Sequence, residues 1–279
     1  DAQRHSSHES LRVIGDKMNL MLSHRGPDAS GIWIDPVQGI VLGHRRLSVI
    51  DLDGGAQPMI SSCGRYILTF NGELYNFLSI RKELEREGHS FRDNSDTEVF
   101  LMALICWPLE VALKKATGMF AFALWDKKQR ILTLARDRMG EKPLYYGWQG
   151  NSFLFGSELK SFKAHPHFGN KINRQSIQLF LKNNCIPAPF TIYSDIKKLL
   201  PGHFLQVQYS KNSKAKDYTL TSYWSIYQKL YEGIDSPYTG NTHSAIDKLE
   251  DLLIQSIKQQ MISDVPLGAF LSGGIDSTL

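Results

Sequence analysis

Asn71, Gly72 and Glu73 stand together in Phe70-Asn71-Gly72-Glu73-Leu74-Tyr75-Asn76, and their types suit one kind of chemistry. A side-chain amide and a backbone N–H can donate to an oxygen that turns negative during acyl transfer, while a carboxylate beside them can hold an amine. The stretch follows an apolar run, Tyr66 to Thr69, and precedes a helical pattern from Phe77 to Glu87. Asn-Gly at such a junction predicts a tight turn with Gly at positive φ. The same residues also make an ordinary strand-turn-helix junction. Arg45 and Arg46, at a predicted strand end, are either solvated or placed to grip a carboxylate bidentately. Asp96, in Ser95-Asp96-Thr97-Glu98, is either a first-turn cap residue or a partner for an amine. Ser272-Gly273-Gly274-Ile275-Asp276-Ser277 follows the apolar run Val265 to Leu271. That order predicts a buried parallel strand ending in a loop whose N–H groups and hydroxyls converge on a phosphate, with plain turn chemistry as the alternative. It is not the Walker sequence, which needs a Lys that this loop lacks.

The elements that must position these residues follow from spacing. Ser6 and Glu9 have capping-box spacing, and Leu11, Ile14, Met18 and Leu22 recur at helical intervals, which predicts an amphipathic helix ending near Gly26-Pro27. Gly31 to Asp35 and Ile40 to Leu42 predict a hairpin through Pro36-Val37-Gln38-Gly39. Gly88 closes the helix that starts at Phe77, and Ser95 with Glu98 opens the next. Gly118 to Trp125 is almost wholly apolar and suits a strand buried on both faces. Further strands are predicted at Ile131 to Ala135, Leu144 to Trp148, Phe153 to Phe155 and Phe204 to Val207. Helices are predicted from Asn173 to Lys182 and, amphipathically, from His243 onward, while Ser210 to Asp217 reads as a polar loop. Many strands with a few helices imply an α+β architecture of stacked sheets under helical cover. The composition shifts near His165-Pro166-His167, so one domain is expected over 1–168 and a second over 169–279.

The 279 residues carry a net charge of +4, with 42% hydrophobic and 22% charged residues, ordinary for a globular protein. Dense Lys/Arg runs with interleaved aromatics are absent, so nucleic acid is not an expected partner. Neither is a membrane, since no apolar run reaches the length of a span. Cys63, Cys106 and Cys185 are scattered without CxxC spacing, which argues against a disulfide framework or zinc site and for a reducing, cytoplasmic setting.

Taken in order, several stretches resemble one family. They are His24-Arg25-Gly26-Pro27-Asp28, Arg46-Leu47-Ser48, the Phe70 to Asn76 stretch, Ser95-Asp96-Thr97-Glu98 and Gly118-Met119-Phe120-Ala121-Phe122-Ala123. Ala135-Arg136-Asp137-Arg138 and Gly140-Glu141-Lys142-Pro143-Leu144-Tyr145-Tyr146 fit as well. Together they resemble the class II (N-terminal-nucleophile) amidotransferase domain of glutamine-hydrolysing asparagine synthetases, and Ser272 to Ser277 resembles the pyrophosphate loop of the same enzymes. The resemblance implies stacked antiparallel sheets with helices, followed by the beginning of an α/β parallel-sheet pyrophosphate-loop domain. Arg46 would bind the glutamine α-carboxylate, with the backbone of Leu47, Ser48, Val49 and Ile50 beside it. Glu73 and Asp96 would hold the α-amine, and Asn71 with the Gly72 N–H would stabilise the oxyanion. Phe270 and Leu271 would lie near the adenine of ATP. Ser272, Gly273, Gly274, Asp276 and Ser277 would hold its pyrophosphate, with Asp276 reaching Mg²⁺. The implied reaction is ATP-dependent synthesis of asparagine from aspartate and glutamine through β-aspartyl-AMP, in an enzyme that is a homodimer by family expectation.

One part of the pattern is missing. The family's nucleophile is a Cys at the mature N-terminus, and residue 1 here is Asp. Neither Cys63, Cys106 nor Cys185 has a free α-amine. The expectation is therefore a fragment from which a short N-terminal piece and most of the synthetase domain are missing, with neither activity of its own and an exposed sheet edge. Two other readings stay open: another acceptor, such as a sugar acid of surface polysaccharides, and a non-catalytic glutamine-binding domain.

Overall fold

The computed structural model describes residues 2–52, 54–208 and 218–278. In chain order the elements are α1 (Ala2–Leu20), β1 (Ala29–Asp35), β2 (Ile40–Arg46), β3 (Met59–Ile60), β4 (Tyr66–Leu74), α2 (Phe77–Arg86), α3 (Asp96–Cys106) and α4 (Leu109–Lys115). Then follow β5 (Gly118–Asp126), β6 (Ile131–Arg136), β7 (Tyr145–Gln149), β8 (Ser152–Gly156), α5 (Leu159–Phe162) and α6 (Arg174–Asn183). The chain continues with β9 (Lys197–Lys198), β10 (His203–Gln208), β11 (Thr219–Ser222), α7 (Ile226–Asp235), α8 (Thr242–Gln260) and α9 (Ile275–Thr278).

Six strands form an antiparallel sheet in the order β11-β10-β6-β5-β4-β3, beside a β1-β2 hairpin and a β8-β7-β9 sheet. Period-2 alternation decides what each face of the large sheet meets. Leu68, Phe70 and Leu74 of β4, with Phe120 and Phe122 of β5, pack beneath α2, α3 and α4. Phe100 of α3 sits edge-on to Phe70, Phe120 and Phe122 with ring centroids 5.6, 5.2 and 5.4 Å away. The opposite face, Ile67, Ala121, Ala123 and Trp125, packs against Leu42 of β2 and Leu144 and Tyr146 at β7. The far side of the hairpin carries α1, where Gly15 lies against Val41 and Ile32. The result is two packed sheet layers with helices outside both, the expected α+β architecture.

Three expectations are corrected. The boundary at 168/169 falls inside the sheets, because β9 pairs with β7 and β10 pairs with β6. Val265 to Leu271 is not a buried strand: Leu267, Phe270 and Leu271 are exposed, and no neighbouring edge among the described residues accepts its ladder. Ser6 lies inside α1 and does not open it, and α1 ends at Leu20, short of Gly26. The loop Ser210 to Asp217 lies outside the described residues. The hairpin turn with Gly39 at φ +68°, the Gly88 helix stop and the Ser95 cap on Glu98 N–H (3.1 Å) are all present.

Candidate active site

The Asn71-Gly72 pair is not a turn. Both residues lie within β4, with Asn71 opposite Ala121 and Gly72 opposite Phe120, and Gly72 is not at positive φ. Its glycine is required by close approach instead: a Cβ there would stand 2.2 Å from the Met119 carbonyl oxygen.

The register nonetheless turns the expected N–H out of the β4–β5 ladder. Phe120 bonds away from β4, its N–H to Asp137 Oδ2 (3.2 Å) and its C=O to Asp137 N–H (2.8 Å). Phe70, Gly72 and Leu74 therefore turn their backbone groups outward, along an edge that β3 covers only as far as Leu68. Side chains hold that edge on both sides of Gly72. Phe70 N–H donates to Gln57 Oε1 (2.6 Å), and its C=O accepts from Gln57 Nε2 and His44 Nε2 (3.0 Å each). Leu74 N–H donates to Asp96 Oδ2 (2.9 Å). Because a carbonyl only accepts, His44 carries its proton on Nε2; burial pulls its pKa down to about 4, so the ring is neutral.

Alternation turns Asn71 and Glu73 to the same face of β4 as Ile67 and Thr69, and both line a cavity of about 1330 Å³. Asn71 Nδ2 is buried without a hydrogen-bond partner among the described residues, an orphan donor of the kind that is costly unless something is meant to accept from it. Asp96, at the start of α3 and 6% exposed, reaches the cavity from the helix layer. Burial raises its pKa to about 6, and the Glu73 charge adds to that. Burial also raises Glu73, partly offset by the charge of Lys142, which lines the same cavity. Two carboxylates that each resist ionisation alone make a site for an ammonium group.

Arg46, at the end of β2, faces the same cavity. Its guanidinium is fixed by three carbonyls of the loop that follows: Asp51 (2.6 Å), Ile50 (3.2 Å) and Leu52 (3.5 Å). Gly55, at φ +65°, lets that loop fold against Arg46, where a Cβ would come within 2.9 Å of Nη2. Leu47, Val49 and Ile50 line the cavity; Ser48 does not, its N–H being taken by Asp28 Oδ2 (2.8 Å). One pocket thus brings together a cation, two carboxylates and two neutral donors.

Residues 270–277 lie apart from this cavity. Their loop closes on itself through Ser272 Oγ and Ser277 Oγ (2.8 Å), and Gly274 N–H donates to Ser272 Oγ (3.3 Å). Two hydroxyls, glycine N–H groups and one exposed carboxylate, Asp276, form a donor set compatible with a pyrophosphate and a cation bridging to it.

Gln57, His44 and Lys142 were not legible as site residues. Gln57 sits in a plain loop in sequence, and only the fold brings it thirteen positions along the chain to Phe70. None of the three cysteines lines the cavity.

A family model described as a glutamine amidotransferase domain matches residues 3–224, and one described as asparagine synthase matches residues 248–279. The chain is 38% identical over 266 residues to asparagine synthetase (glutamine-hydrolyzing) 3 of Bacillus subtilis, covering 94% of this chain and 41% of that protein. It is 37% identical over 262 residues to asparagine synthetase (glutamine-hydrolyzing) 1 of the same organism, covering 94% and 39%. The chain thus spans about two fifths of the length of these two relatives. Among solved structures, a glutamine phosphoribosylpyrophosphate amidotransferase from B. subtilis matches with a TM-score of 0.52 at 18% identity, over 75% of this chain and 46% of that one. That likeness concerns the fold.

Proposed function

The chain belongs to the glutamine amidotransferase domain family, and from that premise we propose that its cavity binds glutamine and releases ammonia for an ATP-dependent synthetase in the same protein. The observation that carries this reading is the orphan Asn71 amide beside the outward Gly72 N–H, in one pocket with Arg46, Glu73 and Asp96. Arg46 takes the α-carboxylate, flanked by Leu47, Val49 and Ile50, and Glu73 and Asp96 take the α-ammonium. The side-chain amide then lies at Asn71 and Gly72. A thiolate adds to its carbon, and the carbonyl electron pair moves to the oxygen held by those two donors. Collapse expels ammonia, which takes the thiol proton, and leaves a thioester that water hydrolyses to glutamate.

In this reading the thiol belongs to a cysteine on a strand ahead of Asp1, laid between β2 and β8. Among the described residues each of those strands pairs on one side only, β2 with β1 and β8 with β7, and both line the cavity. The cavity exceeds the ~300–1,000 Å³ usual for a small ligand, leaving room for a strand as well as glutamine. The 279 residues alone would then be inactive. We divide the chain after residue 224, with α8 and the Ser272 to Ser277 loop opening the synthetase domain. That loop would hold the pyrophosphate of ATP, with Asp276 supporting Mg²⁺ and Phe270 and Leu271 beside the adenine. ATP supplies activation of an acceptor carboxylate, aspartate in this reading, which ammonia converts to asparagine. The free cysteines fit a reducing cytoplasm, and among the described residues no helix is long and apolar enough to cross a membrane.

The test is ammonia release from glutamine by the complete protein, repeated after alanine replaces the upstream cysteine, followed by AMP formation with aspartate and with other carboxylic acids. Glutamine binding without ammonia release would make the domain a binding module. Turnover with a sugar acid but not with aspartate would reassign the acceptor.

A further inference from the structure

The Arg46 loop is held from outside its own domain. After α8, Ile262 packs against the helix-side core, and the chain then passes the loop that orients Arg46. Asp264 meets it at two points: its Oδ2 accepts from Asp51 N–H (2.7 Å), and its own N–H donates to Val49 C=O (3.0 Å). Ser263 Oγ stiffens the approach, bonding Val265 N–H (3.2 Å) and C=O (3.0 Å). The clamped residues are the ones that matter to Arg46. Ile50 and Asp51 supply two of its three carbonyl partners. Asp51 is also a non-glycine residue at φ +52°, a conformation that persists only when surrounding bonds hold it. Its carboxylate caps Gly54 N–H (2.9 Å) and Asn94 N–H (3.0 Å), and Asn94 leads directly into Ser95 and Asp96. Both recognition arms of the pocket are thereby tied to one residue, Asp51, and Asp51 is tied to Asp264.

Asp264 lies within residues 248–279, the asparagine-synthase match, eight positions before Ser272. Those eight positions span at most ~28 Å of chain. We propose that Asp264 is a positioning residue of the glutamine pocket, a clamp that makes the orientation of Arg46 depend on the segment leading to the nucleotide loop. This rests on the reading of the cavity as a glutamine site. The bonds are solvent-exposed, so the effect is modest and specific: it acts on how well the carboxylate is gripped, not on the acyl-transfer donors.

Two measurements on Asp264→Ala and Asp264→Asn separate the clamp from the pocket reading. In the complete protein, D264A raises the KM for glutamine about fivefold with kcat within about twofold, while D264N, which keeps an acceptor oxygen for Asp51 N–H, stays within about twofold of the parent. An unchanged KM in D264A, or a loss confined to kcat, overturns the proposal. In the 279-residue chain, amide hydrogen exchange over residues 46–52 quickens about tenfold in D264A and not in D264N. Exchange that does not change overturns the clamp whatever the catalytic result. If the unsubstituted complete protein neither binds nor hydrolyses glutamine while exchange responds as stated, the clamp stands and the pocket reading is what fails.

Discussion

Gly72→Ala tests whether the oxyanion strand is placed by backbone contact. A Cβ at position 72 would stand 2.2 Å from Met119 O, 2.7 Å from Phe120 Cα and 2.8 Å from Phe120 Cβ. Two of these neighbours are backbone atoms in a nine-pair ladder, and Gly118 opposite Leu74 makes a matching close approach to Glu73 O. Neither strand can yield by turning a side chain. Relieving the contact requires β4 and β5 to part by roughly 1 Å, an overpacking cost of about 1–3 kcal/mol. Stretching a ladder hydrogen bond adds about 1 kcal/mol. The expected loss is about 2–4 kcal/mol, and a fall in Tm of about 3–7 °C for a chain of this length. Urea and thermal unfolding followed by tryptophan fluorescence measure it, since Trp125 is wholly buried. Gly64→Ala is the control: Gly64 has φ +67° but open space around it, so only the conformational cost of about 1 kcal/mol applies. In the complete protein the same ~1 Å displacement of the Gly72 N–H lowers kcat by about 100-fold. G72A losing no more stability than G64A would refute the argument that contact, and not turn geometry, demands this glycine.

Asn71→Ala removes the orphan amide without touching the ladder. It leaves Tm within about 2 °C while cutting kcat for glutamine hydrolysis about 100- to 1,000-fold, read from ammonia release. On the proposed reading Asp96 must be a carboxylate to hold the glutamine α-ammonium, and burial has raised its pKa to about 6, so KM is expected to rise about tenfold for each pH unit below that value; a KM flat between pH 5 and 7 would sink the assignment. Asp96 and His44 also oppose each other in the pH dependence of stability. The raised Asp96 contributes stability that is lost as pH climbs from 3.8 to about 6, and the depressed His44 contributes stability that is lost as pH falls from 6.5 to about 4. Each amounts to about 3 kcal/mol, so urea unfolding of the parent chain is nearly flat over that window on their account, and Asp96→Asn uncovers a rise of that size with pH. Gln57→Leu removes the two Gln57 bonds from Phe70 on its open edge and leaves only that of His44; it lowers kcat with little change in glutamine KM and costs about 2 kcal/mol in urea unfolding.

Residue order along the chain was enough for the types of chemistry present and for most elements. The apolar run Gly118 to Trp125 is a strand, buried on both faces from Phe120 onward because its own side chains are apolar at successive positions and so feed the core on each side of the sheet, and the Gly88 and Ser95 boundaries follow from local backbone and capping demands. The grouping of Arg46, Asn71, Glu73 and Asp96 could be inferred only by resemblance, since nothing in spacing alone says that positions 46 and 96 meet. Tertiary structure decided the reason for Gly72: in sequence Asn-Gly signals a turn, but strand pairing 48 positions away, with Phe120, overrides that local preference and keeps the segment extended. Pairing also carried the large sheet past residue 169, because β10 finds its ladder partners in β6 on one side and β11 on the other. The same rule, in reverse, left Val265 to Leu271 without a ladder: an apolar run becomes a strand only where a neighbouring edge accepts its hydrogen bonds. Gln57 and Asp264 act through backbone groups of distant residues, a kind of contact that leaves no pattern in the sequence, because any residue offers the same N–H and C=O.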